Sequence, residues 1–292
     1  MKRVSVIGLG AMGAPIAHRL LGHGFQVTVW NRSPQRAAAL HKAGAAVGAS
    51  PAEAVHGADA VIVMVADPQA LLAVTDGEQG IAAGVGPAAV VVQMSTVSPS
   101  SVIRLAHVLP AGTGLLDAPV LGSVAEAASG ALRVLVGGPR EPAERCRPLL
   151  AQLGETLHVG ELGAGTAAKL VANNALFGVL GVLGESLALG GALGLSWEAL
   201  HKVLGVTPLA EQAARRRHAI EADDYPARFA LTLARKDADL VADAVGDGGL
   251  GLGLTAAARD WLADAERAGR ACQDYSAVLA HILHAARKGP QR

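Results

Sequence analysis

Two polar side chains interrupt an apolar stretch in the second half of the sequence and could carry proton chemistry. Lys169 and Asn173 are four residues apart, so a helix places them on one face, and the residues between them are apolar. An ammonium group in a cleft can give a proton to a substrate oxygen and take it back, while a carboxamide hydrogen-bonds the lysine or the substrate. The alternative is a lysine that extends to the surface and an asparagine that bonds the backbone. The spacing alone leaves both interpretations open.

A second chemical motif stands at the start of the sequence, where glycines follow a short apolar run. The spacing G-x-G-x-x-G, between a predicted strand and a predicted helix, is typical of a turn that binds a dinucleotide. The first glycine permits the tight turn, the second lets the backbone approach the pyrophosphate, and the third lets the helix pack closely on the strand. A glycine-rich turn without a ligand is the alternative. The predicted cofactor contacts in this turn are Gly8, Leu9, Gly10, Ala11, Met12 and Gly13.

The end of the second predicted strand, which covers 26–30, decides which cofactor fits. An NAD-specific site usually has an acidic residue there, which accepts hydrogen bonds from the ribose 2′-hydroxyl. This sequence has Asn31, Arg32 and Ser33 instead, and the arginine offers a planar fork that suits a 2′-phosphate. We therefore predict NADP as the cofactor, preferred over NADH. The alternative is that Arg32 is a solvated loop residue.

Two further loops follow predicted buried strands, at the edge where open α/β sheets bind ligands. Val65 and Ala66 stand at the end of the apolar run 60–65, and we predict that they contact the cofactor. Thr96 follows the next apolar run and is the candidate there for contact with the nicotinamide half, because Ser98 is expected to cap the following helix.

The elements needed to hold these residues form two halves. Strand and helix patterns alternate up to about residue 160, which predicts an α/β fold with a doubly wound sheet of the Rossmann type. A long apolar helical pattern then covers about 164–194, and only helical patterns follow it. We expect an NADP-binding Rossmann domain over 1–162 and an all-α C-terminal domain over 163–292, joined by the long interdomain helix.

The composition narrows the range of partners. The 25 Lys and Arg balance the 25 Asp and Glu, so there is no basic excess to favour a nucleic-acid partner. Lys169, Asn173 and Glu185 break the long apolar pattern, and we expect runs too short for a membrane span. The N-terminus lacks a signal-peptide pattern, the two cysteines are far apart, and no Cys/His spacing indicates a metal site. A cytoplasmic protein without a metal is therefore expected.

The sequence resembles the β-hydroxyacid dehydrogenase family, which includes 3-hydroxyisobutyrate dehydrogenases and glyoxylate or succinic semialdehyde reductases. The family fold is a Rossmann domain followed by a helical domain like that of 6-phosphogluconate dehydrogenase, and members are usually dimers or tetramers. The resemblance extends over nearly the whole length and rests on four ordered motifs: residues 8–13, residues 117–120 (Asp-Ala-Pro-Val), residues 163–170 with Asn173 and Asn174, and residues 235–237 (Arg-Lys-Asp).

The resemblance implies an oxidoreductase that moves hydride between NADP and a small carbonyl compound, such as a semialdehyde or ketoacid, or its β-hydroxyacid. Lys169 is then the catalytic proton donor and acceptor, and Asn173 orients the substrate. Thr96 and Lys236 then lie against the nicotinamide end of the cofactor. The implied partners are a small-molecule substrate and one or three further copies of the chain, in a homodimer or homotetramer.

One loop departs from the family pattern, in which a serine after the Asp-Ala-Pro-Val segment helps to bind the substrate carboxylate. Here the loop is Leu121, Gly122 and Ser123, so a hydroxyl is lost and apolar bulk is added. The N–H groups of Gly122 and Ser123 could still hold a carboxylate. A bulkier or less polar carbonyl or imine substrate is the alternative.

That departure leaves two other hypotheses open. An imine reductase shares this architecture and the use of NADPH, although such enzymes generally lack the lysine at position 169. A hypothesis of another class is a non-catalytic protein that binds NADP or senses it. Lys169 argues against that third hypothesis, because a protein without catalysis has no need of a buried amine.

Overall fold

A computed structural model describes residues 1–288 and shows two compact units, divided between Lys169 and Leu170. The predicted fold class is confirmed, because strands and helices alternate in the first unit while the described part of the second unit is helical apart from one isolated bridge, Ala230 with Asp274. The expected C-terminal domain extends to residue 292, so residues 289–292 of that prediction lie outside the described residues.

The first unit is built on a nine-stranded sheet. Its strands are β1 (Arg3–Ile7), β2 (Gln26–Trp30), β3 (Ala46–Val47), β4 (Ala60–Val63), β5 (Val90–Gln93), β6 (Gly114–Asp117), β7 (Val120–Leu121), β8 (Leu132–Gly137) and β9 (Gly154–Gly160). Their order is β3-β2-β1-β4-β5-β6-β8-β7, with β9 paired to β8. The direction of winding reverses between β1 and β4, and open α/β sheets bind their ligands at such a point.

Most pairs in this sheet are parallel, but β6 and β7 both pair antiparallel with β8. β6 and β7 therefore run in the same direction, and the chain reverses between Leu121 and Leu132, in the connection that contains the helix Val124–Ser129. β4 and β5 are buried along their whole length, as expected for parallel strands covered by helices on both faces. The helices of the first unit are α1 (Gly13–Gly22), α2 (Ala38–Lys42), α3 (Pro51–Val55), α4 (Pro68–Thr75), α5 (Ile81–Gly84), α6 (Pro99–Val108), α7 (Val124–Ser129) and α8 (Arg140–Leu150), and a short 3₁₀ turn, Pro34–Ala37, precedes α2.

The long predicted helix is α9 (Ala164–Ala192), which begins in the first unit and continues in the second. In the second unit it packs Phe177, Leu180, Leu183 and Leu187 into a core of helices. The remaining helices are α10 (Trp197–Leu204), α11 (Ala210–Ala222), α12 (Leu231–Asp247), α13 (Gly253–Ala265) and α14 (Val278–Lys288), with a π turn at Glu266–Arg270 and a 3₁₀ turn at Tyr275–Ala277.

Among the described residues, α9 is long and apolar enough to cross a bilayer, with a mean hydropathy of 1.6 over its most apolar window. The stretch without a charged residue between Lys169 and Glu185 is shorter than the roughly 20 residues that a membrane span needs, which agrees with the expectation from the sequence. The core helix of a soluble protein has the same property, so length and composition are weak grounds for a membrane span. The burial of Leu180 and Leu183 against other helices explains why this helix is apolar.

Candidate active site

The glycine turn between β1 and α1 has the conformation that its sequence predicts. Gly8 has a φ of +99°, and a side chain there would overlap the backbone carbonyl of Met64 at the end of β4. A side chain on Gly13 would overlap the carbonyl of Gly8, so the helix start lies directly on the turn. Gly10 differs, because the nearest atom to an added methyl group is the Arg36 guanidinium at 4.0 Å. The space above Gly10 fits a pyrophosphate that approaches the backbone closely.

The carboxyl ends of the neighbouring strands are tied together by hydrogen bonds. Ser95, which follows β5, accepts a hydrogen bond at its Oγ from the N–H of Val65 at 2.8 Å. Gln93 holds Ser95 in turn, because its carboxamide accepts from the Ser95 N–H at 2.5 Å and donates to the Ser95 carbonyl at 2.9 Å. Val65, Ala66 and half-buried Thr96 therefore lie in loops at the same edge of the sheet as the glycine turn. Gln93 and Ser95, which are 0% and 1% exposed, were not predicted from the sequence as site residues.

Among the residues after β2, Asn31 holds the backbone of the glycine turn, whereas Arg32 and Arg36 are exposed to solvent. The Asn31 carboxamide accepts from the Leu9 N–H at 2.9 Å and donates to the Ser33 carbonyl at 3.0 Å, so it braces the glycine turn. Arg32 and Ser33 are exposed. Arg36 is exposed as well and lies beside Gly10, although the sequence analysis did not select it. A second arginine four residues after the first was the signal that could have found it.

A buried carboxylate fixes the start of α9. Asp117 is 0% exposed and accepts hydrogen bonds from the N–H groups of Gly163 at 2.9 Å and Thr166 at 2.6 Å. These N–H groups would otherwise lack partners at the helix start, and a negative charge there also interacts favourably with the helix dipole. A side chain at Gly165 would overlap the carbonyl oxygen of Asp117, which shows how closely the helix lies on the strand. Lys169 follows Thr166 by three residues, so Asp117 fixes the helical turn from which Lys169 projects.

In the second unit, a buried carboxylate holds two of the predicted site residues. Asp237 is 2% exposed, and its Oδ2 accepts from the Asn173 Nδ2 at 2.9 Å. Its Oδ1 lies 2.5 Å from the Lys236 Nζ. Because a carboxylate only accepts hydrogen bonds, Asp237 must face the Nδ2 of Asn173. The Oδ1 of Asn173 therefore points away from Asp237. The structure thus brings Asn173 and Lys236 together through a residue to which the sequence analysis gave no role.

The loop of residues 121–123 lies between β7 and α7 in the first unit. Leu121 is half-buried, and Gly122 has a φ of +125°. The Ser123 N–H, one of the donors expected for a carboxylate, donates to the Glu126 Oε2 at 2.7 Å, and the Ser123 Oγ donates to the same oxygen at 2.5 Å. This arrangement is a capping box, in which the glutamate at the third helical position reaches back to the residue before the helix.

The described residues contain no group of three His, Cys, Asp or Glu side chains that could hold a metal ion. Both cysteines are free thiols, and Cys272 is exposed. Burial raises the pKa of the Cys146 thiol to about 12, so this cysteine stays protonated at neutral pH and is a poor nucleophile.

Two family models cover almost the whole chain. The NAD binding domain of 6-phosphogluconate dehydrogenase matches residues 3–163, and the NAD-binding domain of NADP-dependent 3-hydroxyisobutyrate dehydrogenase matches residues 163–282. The fold and the glycine turn therefore define an oxidoreductase that uses a nicotinamide cofactor.

Similar proteins identify the family. The 3-sulfolactaldehyde reductase of Escherichia coli K12 is 32% identical over 291 residues, which cover 97% of this chain and 96% of that protein. The NAD-dependent L-serine dehydrogenase of Pseudomonas aeruginosa is 39% identical over 207 residues, 70% of this chain and 69% of that protein. The 3-hydroxyisobutyrate dehydrogenase of Mycobacterium tuberculosis, solved with L-serine, has a TM-score of 0.88 and 31% identity, with coverage of 98% of this chain and 100% of that chain. The chain belongs to the β-hydroxyacid dehydrogenase family.

Proposed function

We propose that this chain is an NADP-preferring enzyme that interconverts a small carbonyl compound and its alcohol, with Lys169 as proton donor and acceptor. The observation that supports this most strongly is the hydrogen bond from the Thr166 N–H to Asp117, which anchors the helix start. Thr166 stands three residues before Lys169. A buried carboxylate that fixes one helical turn gives the side chain projecting from it a defined position, which proton transfer requires. A cytoplasmic homodimer or homotetramer is part of the same proposal.

The proposed chemistry assigns a role to each polar group of the chain. The bound nicotinamide supplies the hydride. Lys169 donates a proton to the carbonyl oxygen, where negative charge develops, and takes it back in the oxidative direction. Asn173 orients the substrate through its Oδ1, because its Nδ2 is engaged by Asp237. The glycine turn and Arg32 hold the cofactor phosphates.

The experiment that tests the role of Lys169 is its replacement by alanine. We expect K169A to lower kcat by about 10²–10⁴-fold, the usual contribution of a positioned proton donor, while NADPH still binds with little change. Lys202→Ala is the matched control, because Lys202 is an exposed lysine of α10 that pairs with Glu198 on its own helix. Unchanged turnover by K169A would refute the assignment. Turnover and NADPH binding are followed by NADPH absorbance and by fluorescence.

The substrate screen separates the proposed chemistry from the two other hypotheses. NADPH consumption is measured with semialdehydes, glyoxylate, bulkier ketoacids and cyclic imines. Reduction of the cyclic imines alone would favour an imine reductase. NADPH binding without consumption of NADPH with any compound would favour a non-catalytic protein.

The preference for NADP is tested at the arginines after β2. No acidic residue stands in 31–36, and Arg32 and Arg36 are both exposed cations, one of them beside Gly10. A hydrogen bond to a charged group contributes about 1.5–3 kcal/mol, so we expect R32A to lower kcat/KM for NADPH by at least about tenfold and to change that for NADH little. A parent protein that prefers NADH would overturn this part of the proposal.

A further inference from the structure

A distant segment of the second unit, residues 271–275, holds the start of α12. The N–H of Leu231, the first residue of this helix, donates to the Gln273 carbonyl at 2.8 Å. The N–H of Thr232 donates to the Ala271 carbonyl at 3.1 Å. The first turn of a helix offers no acceptor for its own N–H groups, so these two depend on the distant segment. The position of the start of α12 is therefore set by residues 271–275.

Asp274, which is 5% exposed, ties the same segment to the residues that precede α12. Its Oδ2 accepts from the N–H groups of Arg228 at 3.2 Å and Phe229 at 3.1 Å. Its Oδ1 accepts from the Ser276 N–H at 3.2 Å and from the Ser276 Oγ at 2.6 Å. The Arg216 Nη1 lies 3.9 Å from the same Oδ1, and the Arg216 side chain is only 10% exposed.

Removal of the Asp274 carboxylate would leave buried groups without their acceptor. A buried N–H that loses its acceptor is costly, and a buried cation that loses its anion is more costly still. Arg216 also donates to the hydroxyl of Tyr275, so the cation and the carboxylate belong to one buried cluster. The residues before α12 would therefore move toward other acceptors, and the helix start would move with them.

The helix that Asp274 holds carries a residue of the candidate site. Asp237 stands six residues after Leu231, in the second turn of α12, and its Oδ2 accepts from the Asn173 Nδ2 at 2.9 Å. A hydrogen bond weakens when its atoms move by a few tenths of an ångström, and a rigid helix passes a displacement of its start on to its next turn. The position of α12 therefore controls how the Asn173 carboxamide is held.

We propose that Asp274 is a positioning residue of the proposed active site, which fixes the start of α12 and thereby, through Asp237, the orientation of the Asn173 carboxamide. The inference rests on the proposed function, in which Asn173 orients the substrate, and it adds a residue that supports this role. The competing account is a carboxylate that only stabilises the core of the second unit. That account predicts a loss of stability without a change in how Asn173 is held.

A double-mutant cycle of Asp274→Ala and Asp237→Ala tests the route through Asp237. The substrate is succinic semialdehyde or glyoxylate, whichever the parent reduces with the higher kcat/KM, at saturating NADPH. We expect D274A to raise the KM for the substrate by about tenfold in the parent and by less than about twofold in a protein that already carries D237A, because residues that act in series give non-additive effects. A tenfold rise in both backgrounds, or in neither, would overturn the proposal.

Asp274→Asn is the milder variant, for use if D274A does not fold. Asparagine keeps one acceptor oxygen for the N–H groups of Arg228 and Phe229, but it removes the charge beside Arg216. We expect the same pattern with a smaller rise in KM, of about threefold in the parent. Equal rises in the two backgrounds would again count against the proposal.

Hydrogen exchange of the Asn173 carboxamide reports how it is held without any substrate. Its protons are followed by NMR of isotope-labelled protein and identified by their absence from N173A. Leu200→Ala is the matched control, because Leu200 is 6% exposed in the same helical core but packs against Gly190, 17 residues from Asn173 along α9. At urea concentrations that give the two variants the same free energy of unfolding, we expect exchange in D274A to be at least about tenfold faster than in L200A.

The two measurements separate failure of this inference from failure of the proposed function. Absence of turnover with every compound of the substrate screen would refute the proposed function, and the exchange measurement would still decide the role of Asp274. Equal exchange in D274A and L200A would show that Asp274 only stabilises the helical core, and it would overturn the inference even in an active enzyme.

Discussion

Replacement of Asp117 by alanine tests how firmly the start of α9 is held. The substitution removes two charge-assisted hydrogen bonds and leaves the N–H groups of Gly163 and Thr166 buried without acceptors. Each unsatisfied buried N–H costs about 1–3 kcal/mol, and loss of a helix cap costs about 1 kcal/mol, partly for the same bonds. We therefore expect D117A to lower the free energy of unfolding of the first unit by about 3–5 kcal/mol.

The first unit can be followed separately by fluorescence, because Trp30 is the one tryptophan among its residues. Urea unfolding is measured in a background that carries W197F and W261F, so that the signal comes from Trp30. Hydrogen exchange at the Thr166 amide supplies a second, local reading, and its protection should fall in D117A. A loss of less than about 1 kcal/mol, with Thr166 still protected, would refute the account of Asp117 as an anchor.

A control and a functional reading separate the anchor from an ordinary cap. Asp67 caps α4 through the Ala70 N–H at 2.7 Å and is only half-buried, so D67A should cost about 1 kcal/mol. If Lys169 acts in catalysis, a shift of about 1 Å in its helical turn lowers kcat by about 100-fold in D117A. A D117A variant that is destabilised but has full kcat would separate the two roles and count against the proposed position of Lys169.

Three further outcomes are expected. Asp237→Ala should raise KM for the substrate by about tenfold or more, because the Asn173 carboxamide loses the acceptor that orients it, as steady-state kinetics will report. Backbone hydrogen bonds from Arg3 and Lys2, and a side-chain bond from Arg3, lower the pKa of Asp59 from 3.8 to about 2. The D59N variant should therefore be less stable than the parent by about 1 kcal/mol at pH 7, after allowance for solvent screening. This stabilisation is fully present above about pH 4 and is lost as the pH falls through about 2, so the parent and D59N should converge in acid urea titrations; a constant difference would contradict this. Gly13→Ala should lower the free energy of unfolding by about 2 kcal/mol or more because it meets the backbone, whereas Gly10→Ala should keep the fold and weaken cofactor binding by at least about tenfold, as urea unfolding and NADPH titration will show.

Local patterns in the sequence predicted most of the fold. Hydrophobic runs and glycine or proline boundaries indicated the strands and helices, since burial requires apolar residues at regular spacing. Ser98 was readable as a cap, and its Oγ accepts a hydrogen bond from the Ser101 N–H in the first turn of α6. The antiparallel pairing of β7 with β8 was not predictable, because β7 has only 2 residues and the pairing joins residues 12 positions apart or more.

Some residues of the candidate site could also be predicted from the sequence, and others could not. Residues with an uncommon type in an apolar setting, such as Lys169 and Asn173, can be selected from the sequence because an unpaired polar group is costly to bury. Asp117 and Asp237 gave no such signal of their own, since one stands before an Ala-Pro pair and the other in a run of charged residues, 235–237. Both act on partners more than 40 residues away, at Gly163 and Asn173.

The sequence by itself therefore determined the order of the elements, the glycine turn and the family, because these depend on neighbours along the chain. The tertiary structure alone decided which carboxylates hold distant groups: Asp117 at the start of α9 and Asp237 on Asn173. The physical reason is that a hydrogen bond depends on the position of two atoms to within a few tenths of an ångström. Except where the partners are a few residues apart on one helix, only the packed chain fixes such positions.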